Sequence, residues 1–148
     1  APEALAAVLD AGQRGFDLVV VDLPRQLDPA GETVLARADE ALLVCVTRVR
    51  STAAAARVAA TLQSRCASVG LVLRVDRRGV SEDAVHAALS LPIRARLPHA
   101  QSLASRADNG EPPSLRDAYG RACQAALRTM AGPPMSMFSM QSPKPAPD

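Results

Sequence analysis

The sequence has 148 residues and a formal net charge of +2, and its cationic side chains are 16 arginines and one lysine, Lys144. A lysine-dependent phosphate loop, a Schiff-base site and a pyridoxal phosphate site each need a lysine inside a folded element, and Lys144 lies in a Pro-rich stretch, so such sites are excluded from this chain. Three aromatic residues, Phe16, Tyr119 and Phe138, are too few for a base-stacking platform, which disfavours single-strand nucleic-acid modules.

The chain length fits one domain, large enough to bury about two thirds of its unfolded surface. Cys45, Cys66 and Cys123 are odd in number and widely spaced, which indicates small buried thiols in a reducing cytosol. No window of 18 apolar residues occurs, so we expect no transmembrane helix. The sequence starts without Met and enters a helix at once, which is typical of a piece of a longer protein.

The first third of the chain predicts alternating helices and strands. Residues 2–13 have apolar side chains at helical spacing. Residues 16–22 form a continuous β-branched run bounded by glycine and proline, which predicts a central strand covered on both faces. A short helix over residues 28–38 and a second buried strand over residues 41–47 follow.

The same alternation continues to residue 130. We predict an Ala-rich helix over 51–65 capped by Ser51 or Thr52, a strand over 69–75, a capped helix over 81–88, a shorter strand over 93–97 and a final helix over 114–130. This order predicts the doubly wound α/β class, a mostly parallel sheet with helices on both faces. Residues 1–131 would form this domain, and the Pro, Met and Ser composition of residues 132–148 predicts a disordered tail.

Functional residues in an open α/β sheet collect at the carboxyl ends of the strands. The apolar run ending in Asp22 has the form of a Walker B element, whose carboxylate reaches a magnesium-bound water; the alternative is an aspartate that caps the next turn. Five arginines should converge at this edge and could bind phosphate or DNA, namely Arg48, Arg50, Arg74, Arg77 and Arg78. Without aromatic residues or a recognition motif, DNA contact is disfavoured. His86 and His99 have no cysteines nearby and are interpreted as surface histidines rather than metal ligands.

Several stretches, taken together, resemble MinD/ParA-type ATPases of the SIMIBI class of P-loop proteins. Residues 16–24 end in an aspartate closely followed by proline, and residues 38–44 read A-D-E-A-L-L-V. Residues 70–81 resemble the strand and loop that follow in that family, and residues 97–112 resemble its stretch near the adenine. The ordered resemblance covers roughly residues 3–130 and looks most similar to actinobacterial CpaE/TadZ-like septum-site-determining proteins.

The resemblance implies roles for individual residues. Asp22 would be the Walker B carboxylate, holding magnesium through a bound water, and Pro24 would begin the switch that senses the γ-phosphate. Pro98 would belong to the loop beside the adenine, with Arg74 and Asp76 as further base-pocket candidates. Arg74 departs from the family, where many members have asparagine or a Thr-Arg pair, and Arg74 with Asp76 also reads as a surface ion pair.

The phosphate loop of that family and its lysines belong upstream of the Walker B strand, and this chain has no such segment. We therefore expect the C-terminal half of a longer protein, without catalytic residues of its own, binding neither ATP nor magnesium in isolation. The family's first strand would lie beside residues 16–22, so we also expect an incomplete sheet with an exposed apolar edge.

The resemblance implies a cytoplasmic parent that binds ATP and magnesium, forms a homodimer and changes its partner affinity on hydrolysis. It would be a spatial regulator of septum placement or of pilus or secretion machinery, with peripheral membrane contact left open. The alternative is a non-catalytic protein-interaction module of the same fold with a degenerate nucleotide site. A receiver-like or other small-molecule-binding domain is disfavoured, because the paired acids and the late-strand lysine of receivers are missing.

Overall fold

The computed structural model describes residues 2–130, and the predicted tail, with Lys144, lies outside them. The described residues form six helices and three strands. In chain order these are α1 (Pro2–Gly15), α2 (Pro29–Leu35), β1 (Ala41–Val46), α3 (Val49–Gln63), β2 (Val69–Arg74), α4 (Glu82–Leu89), β3 (Ile93–Leu97), α5 (Ser102–Asp108) and α6 (Ala118–Met130).

The three strands form one parallel sheet in the order β1-β2-β3. The register places Leu43 opposite Leu71 and Cys45 opposite Leu73, with an irregularity at Leu71/Val72 where β3 joins. Parallel strands need a crossover connection, and α3 and α4 supply the two crossovers. The predicted α/β class with a parallel sheet is confirmed.

Helices cover both faces of this sheet. On one face α3 and α4 enclose the larger core, which includes the fully buried Leu71, Leu73 and Val85. On the other face α6 packs Ala126 against Val72 of β2 and residues of β3. The middle strand β2 is buried at each of its first five residues, which explains why residues 69–73 read as an unbroken apolar run.

Helix caps agree with the sequence in some places and differ in others. The Ser81 hydroxyl caps α4 by accepting a hydrogen bond from the Ala84 N–H at 3.2 Å, as predicted. The predicted cap of α3 at Ser51 or Thr52 is wrong, because the helix starts earlier with Arg48 at the N-cap position and no side-chain cap. The Thr52 hydroxyl instead donates to the Arg48 carbonyl at 3.0 Å. Helix α5 was not predicted, and α6 starts four residues later than expected.

Residues 16–22 do not form the predicted central strand. They have no regular secondary structure and pair with no strand of the described chain, and Phe16 and Val20 are 73% and 78% exposed. Val19 packs on α1, where a Cβ added to Gly12 would lie 3.3 Å from a Val19 methyl group. Leu23 then reaches the larger core. The apolar pattern was correctly recognised, but a strand also needs a hydrogen-bonded neighbour.

Strand β1 presents a second exposed apolar edge. The Ala41 N–H donates to the Ser68 carbonyl just before β2, and the Thr47 N–H donates to the carbonyl of Arg74, the last residue of β2. Because successive residues of a strand direct their backbone groups to opposite sides, the N–H and C=O groups of Leu42 and Val44 point away from β2. Val44 is 58% exposed. We call the region between residues 16–22 and β1 the open slot. A cavity of about 370 Å³ lies at its near end, lined by Gln13, residues 16–19 and Asp39, two residues before β1.

The core assignment predicts the effect of truncating a leucine. Leu71→Ala should lower the free energy of unfolding by about 2–5 kcal/mol, because Leu71 is fully buried and its removal leaves a cavity. Leu115→Ala is the matched control, since Leu115 is 63% exposed, and should change that free energy by less than about 0.5 kcal/mol. Urea denaturation followed by circular dichroism measures both, and equal midpoints would contradict the assignment.

Candidate functional site at the carboxyl edge of the sheet

A cavity of about 280 Å³ opens where the carboxyl ends of the three strands meet. Each strand end, or the loop after it, contributes to its lining, and so does the first turn of α3. The lining residues are Val46, Arg48, Ser51, Arg74, Val75, Asp76, Pro98 and His99. The structure therefore brings together Arg74, Asp76 and Pro98, the three residues proposed from the sequence for a base pocket.

Asp76 is the acidic residue of this cavity, and both of its oxygens have partners. Oδ2 accepts a hydrogen bond from Arg48 Nε at 2.6 Å and lies 2.5 Å from Arg48 Nη2. Oδ1 accepts from the backbone N–H of Arg78 at 2.9 Å. The interpretation of Arg74 and Asp76 as an ion pair is wrong, because the loop path turns Asp76 toward Arg48 instead.

These contacts lower the pKa of Asp76 below its ordinary value. The Arg78 N–H has the largest effect, followed by the hydrogen bond from Arg48, while partial burial of the carboxyl opposes both. His99 adds a smaller favourable charge interaction. The ionised carboxylate consequently links the loop after β1 to the loop after β2.

Thr47 and Gly79 fix the same two loops, and sequence reasoning missed both. The buried Thr47 hydroxyl accepts a hydrogen bond from the Asp76 N–H at 2.9 Å, and its carbonyl accepts from the Val80 N–H at 2.8 Å. A Cβ added to Gly79 would lie 1.9 Å from the Thr47 carbonyl oxygen, so only glycine permits this approach. The available signal was a glycine in a polar turn directly after a strand.

The cavity edge is strongly basic. Residues 46–51, 74–78 and 98–99 contain five arginines and one aspartate, a formal net charge of +4, whereas the whole chain has +2. Arg48 and Arg74 line the cavity, and the other three arginines lie in the adjoining loops and helix turn. Helix α3, whose first turn reaches the cavity, has no acidic residue in that turn to offset this charge.

Asp22 and Pro24 are not part of this cavity. Both are exposed in the irregular segment before α2 and are absent from the cavity lining. Within residues 2–130, no group of three His, Cys, Asp or Glu side chains gathers as a metal site would need. Their assignment as Walker B and switch residues stays a prediction from the resemblance.

The histidines and cysteines have structural surroundings. His86 Nδ1 lies 2.9 Å from the Leu91 carbonyl oxygen and ties α4 to the start of β3. Cys45 and Cys66 are buried and Cys123 is half-buried, all as thiols. Burial raises the pKa of the Cys45 thiol, and a hydrogen bond with Thr52 opposes that rise only in part. In the part of the chain that the structure describes, no helix has the length and apolar character to cross a membrane.

The close approach of Gly79 to Thr47 predicts that Gly79→Ala is destabilising. The added methyl group must displace a backbone carbonyl, so we expect a loss of about 1–3 kcal/mol of unfolding free energy. Gly15→Ala is the control, because a Cβ there meets nothing within 4 Å, and it should be neutral or slightly stabilising. Thermal unfolding compares the two, and an unaffected Gly79→Ala variant would contradict the close contact.

The lowered pKa of Asp76 predicts an acid-dependent contribution to stability. Because the folded-state value is below the unfolded one of about 3.9, the contribution is fully present above that pH and is lost as the pH falls through the folded pKa. Asp76→Asn should therefore flatten the acid limb of the stability curve. Asp10→Asn, which alters only the exposed pair with Arg37, is the control. Urea midpoints between pH 2 and 7 test this, and parallel curves for wild type and Asp76→Asn would refute it.

No protein-family model matches the sequence. Uncharacterized protein Rv3660c of Mycobacterium tuberculosis strain H37Rv is 47% identical over 68 residues, which are 46% of this chain and 19% of that protein. This chain thus spans about a fifth of the length of that relative.

Solved structures with the same fold are MinD and ParA ATPases. The MinD cell division protein of Aquifex aeolicus has a TM-score of 0.76 at 21% identity, covering 90% of this chain and 62% of its own. A ParA family ATPase of Chlorobium tepidum has a TM-score of 0.75 at 16% identity, and the match covers 88% of this chain and 56% of that protein. MinD of Pyrococcus horikoshii, a septum site-determining protein complexed with Mg-ADP, has a TM-score of 0.71 at 18% identity. This match covers 89% of this chain and 58% of that protein. The described residues therefore have the MinD/ParA fold, over about three fifths of the length of those proteins.

Proposed function

We propose that this chain is the C-terminal part of a nucleotide-dependent switch protein of the MinD/ParA type. The observation that carries the proposal is the fold itself, which follows MinD over 90% of this chain while spanning 62% of MinD. Fold alone does not determine function, so the proposal also depends on the residues at the carboxyl edge of the sheet and on the open slot.

The open slot supports the C-terminal assignment. Residues 16–22 and β1 both expose apolar side chains toward solvent, and the outward backbone groups of Leu42 and Val44 are free to pair. A parallel strand inserted there from an upstream part of the parent would join both walls into one sheet. In that arrangement the phosphate loop after the inserted strand would lie near Asp22 and Pro24, which would then act as the magnesium-linked carboxylate and the start of the switch.

The cavity at the carboxyl edge is the proposed base pocket, and its lining residues would have different roles in binding the base. Pro98 and Val75 offer apolar surface, and Arg74 offers free donors. Asp76 would act through Arg48, because its own oxygens already accept hydrogen bonds.

The parent would bind ATP and magnesium, act as a cytoplasmic homodimer and regulate septum placement or pilus or secretion machinery in the manner of CpaE/TadZ-like proteins. Supporting analogies are the Mg-ADP complex of Pyrococcus horikoshii MinD and a MinC:MinD complex of Aquifex aeolicus. The alternative, a non-catalytic interaction module, is favoured by the departure at Arg74 and by the engagement of Asp76 with Arg48.

The test is magnesium-dependent ATP binding by the full-length parent. Asp22→Asn should weaken the magnesium-dependent part of the affinity by about tenfold or more, since a charge-assisted contact to the hydrated metal is lost. Asp17→Asn, an exposed carboxylate at the start of the same segment, is the matched control and should leave the affinity unchanged. Isothermal titration calorimetry with and without magnesium measures both variants.

Two results would decide against the proposal. If the full-length parent binds no ATP, the interaction module is the better account. If residues 1–148 alone hydrolyse Mg-ATP and Asp22→Ala abolishes that turnover, the assignment as an incomplete nucleotide site is wrong.

A further inference from the structure

Arg74 is the unpaired cation of the cavity at the carboxyl edge. Every ion pair found between side chains of residues 2–130 leaves it out, although it lies in the same lining as Asp76. The carboxylate that could have neutralised it is held by Arg48 and by the Arg78 N–H. Arg74, whose guanidinium has five N–H donors, therefore lines the cavity with no acidic side chain paired to it among the described residues.

We propose that this cavity is an oxyanion site, in which Arg74 binds the phosphate group of a small ligand, either free phosphate or a phosphate ester. Arginine matches this chemistry, because its planar fork donates two parallel hydrogen bonds to phosphate oxygens. The inference does not depend on the proposed nucleotide function, since it uses only the charges and donors of the described residues.

The other polar groups of the lining favour an acceptor-rich ligand. Ser51 contributes a hydroxyl and His99 an imidazole, and neither side chain has a hydrogen-bond partner among the residues that the structure covers. Arg48 retains N–H groups beyond the two directed at Asp76 Oδ2. Since both oxygens of Asp76 already accept hydrogen bonds, the free donors of the lining outnumber its free side-chain acceptor sites, which suits an oxyanion better than a ligand that must donate.

The size and the local charge of the cavity restrict the ligand further. Its volume of about 280 Å³ is just below the range of small-molecule pockets, which span about 300–1,000 Å³, so the phosphate group fits inside it and a large organic group would extend beyond it. The local formal charge of +4 attracts anions over several ångströms in addition to the direct contact. In the parent, this ligand and a nucleotide base would exclude each other, because both would use Arg74.

The experiment is an NMR titration of the full 148-residue chain at constant ionic strength, replacing chloride by the probe. The probes are inorganic phosphate, adenosine 5′-monophosphate, adenosine and a short duplex DNA. We expect phosphate and the monophosphate to shift the Arg74 Nε–H signal and the Ser51 amide, and adenosine to leave them in place. A larger shift by inorganic phosphate identifies the free ion as the ligand, and a larger shift by the monophosphate identifies an ester.

Variants of the chain separate a specific site from general attraction. Arg74→Gln should weaken phosphate binding by about tenfold or more. The phosphate affinity of Arg74→Lys should lie between those of Arg74→Gln and the wild type. Arg57→Gln removes another exposed arginine, in the middle of α3, and should keep the affinity within about twofold.

Three outcomes would overturn the inference. Phosphate shifts that persist in Arg74→Gln would place the anion elsewhere. Equal binding of adenosine and its monophosphate, with none of inorganic phosphate, would leave a base pocket alone and would support the nucleotide proposal. Shifts caused only by duplex DNA would indicate an extended polyanion surface. ATP binding by the parent is measured separately, so the two proposals can fail independently.

Discussion

The parallel pairing of β2 between β1 and β3 is the constraint on which the other features depend. It buries β2 on both faces and both edges, and Leu71 and Leu73 form the centre of the larger core. It requires helical crossovers, and these place α3 and α4 together on one face. It also directs the three carboxyl ends to a single edge, where the basic cavity opens. The same pairing leaves β1 with one unpaired side, which is the inner wall of the open slot.

The strands at residues 41–46 and 69–74 could be predicted because their burial is encoded locally, as apolar runs between polar turns. Residues 16–22 have the same pattern and yet stay unpaired in the described chain. An apolar run indicates that a segment is suited to burial. It becomes a strand only when another segment forms backbone hydrogen bonds with it, and the run itself does not encode that second segment. The early start of α3 was unpredictable for a related reason, since Arg48 occupies its N-cap position without a side-chain cap.

The position of the cavity at the carboxyl edge of the sheet could be predicted from the sequence, but the hydrogen bonds between its residues could not. Parallel topology brings Arg74, Asp76 and Pro98 to one edge, and their strand-end locations in the sequence were sufficient to predict that. The pairing of Asp76 with Arg48 depends on the path of two loops, which Thr47 fixes through its hydroxyl and its carbonyl. Those contacts join residues about thirty positions apart, and no local pattern in either loop specifies them.

The Arg48–Asp76 pair determines the chemistry of the edge. If Asp76 were paired with Arg74 instead, the donors of Arg74 would be engaged, and Arg48, which lines the same cavity, would keep its own donors free. With Asp76 turned toward Arg48, the carboxylate joins two loops, and the guanidinium of Arg74 has no acidic partner among the described residues. The fold thus determines where a ligand would bind, whereas one ion pair determines which arginine keeps its donors for that ligand. In this chain, the same edge of the same fold would present different donors to a ligand if Asp76 were paired with Arg74 instead of Arg48.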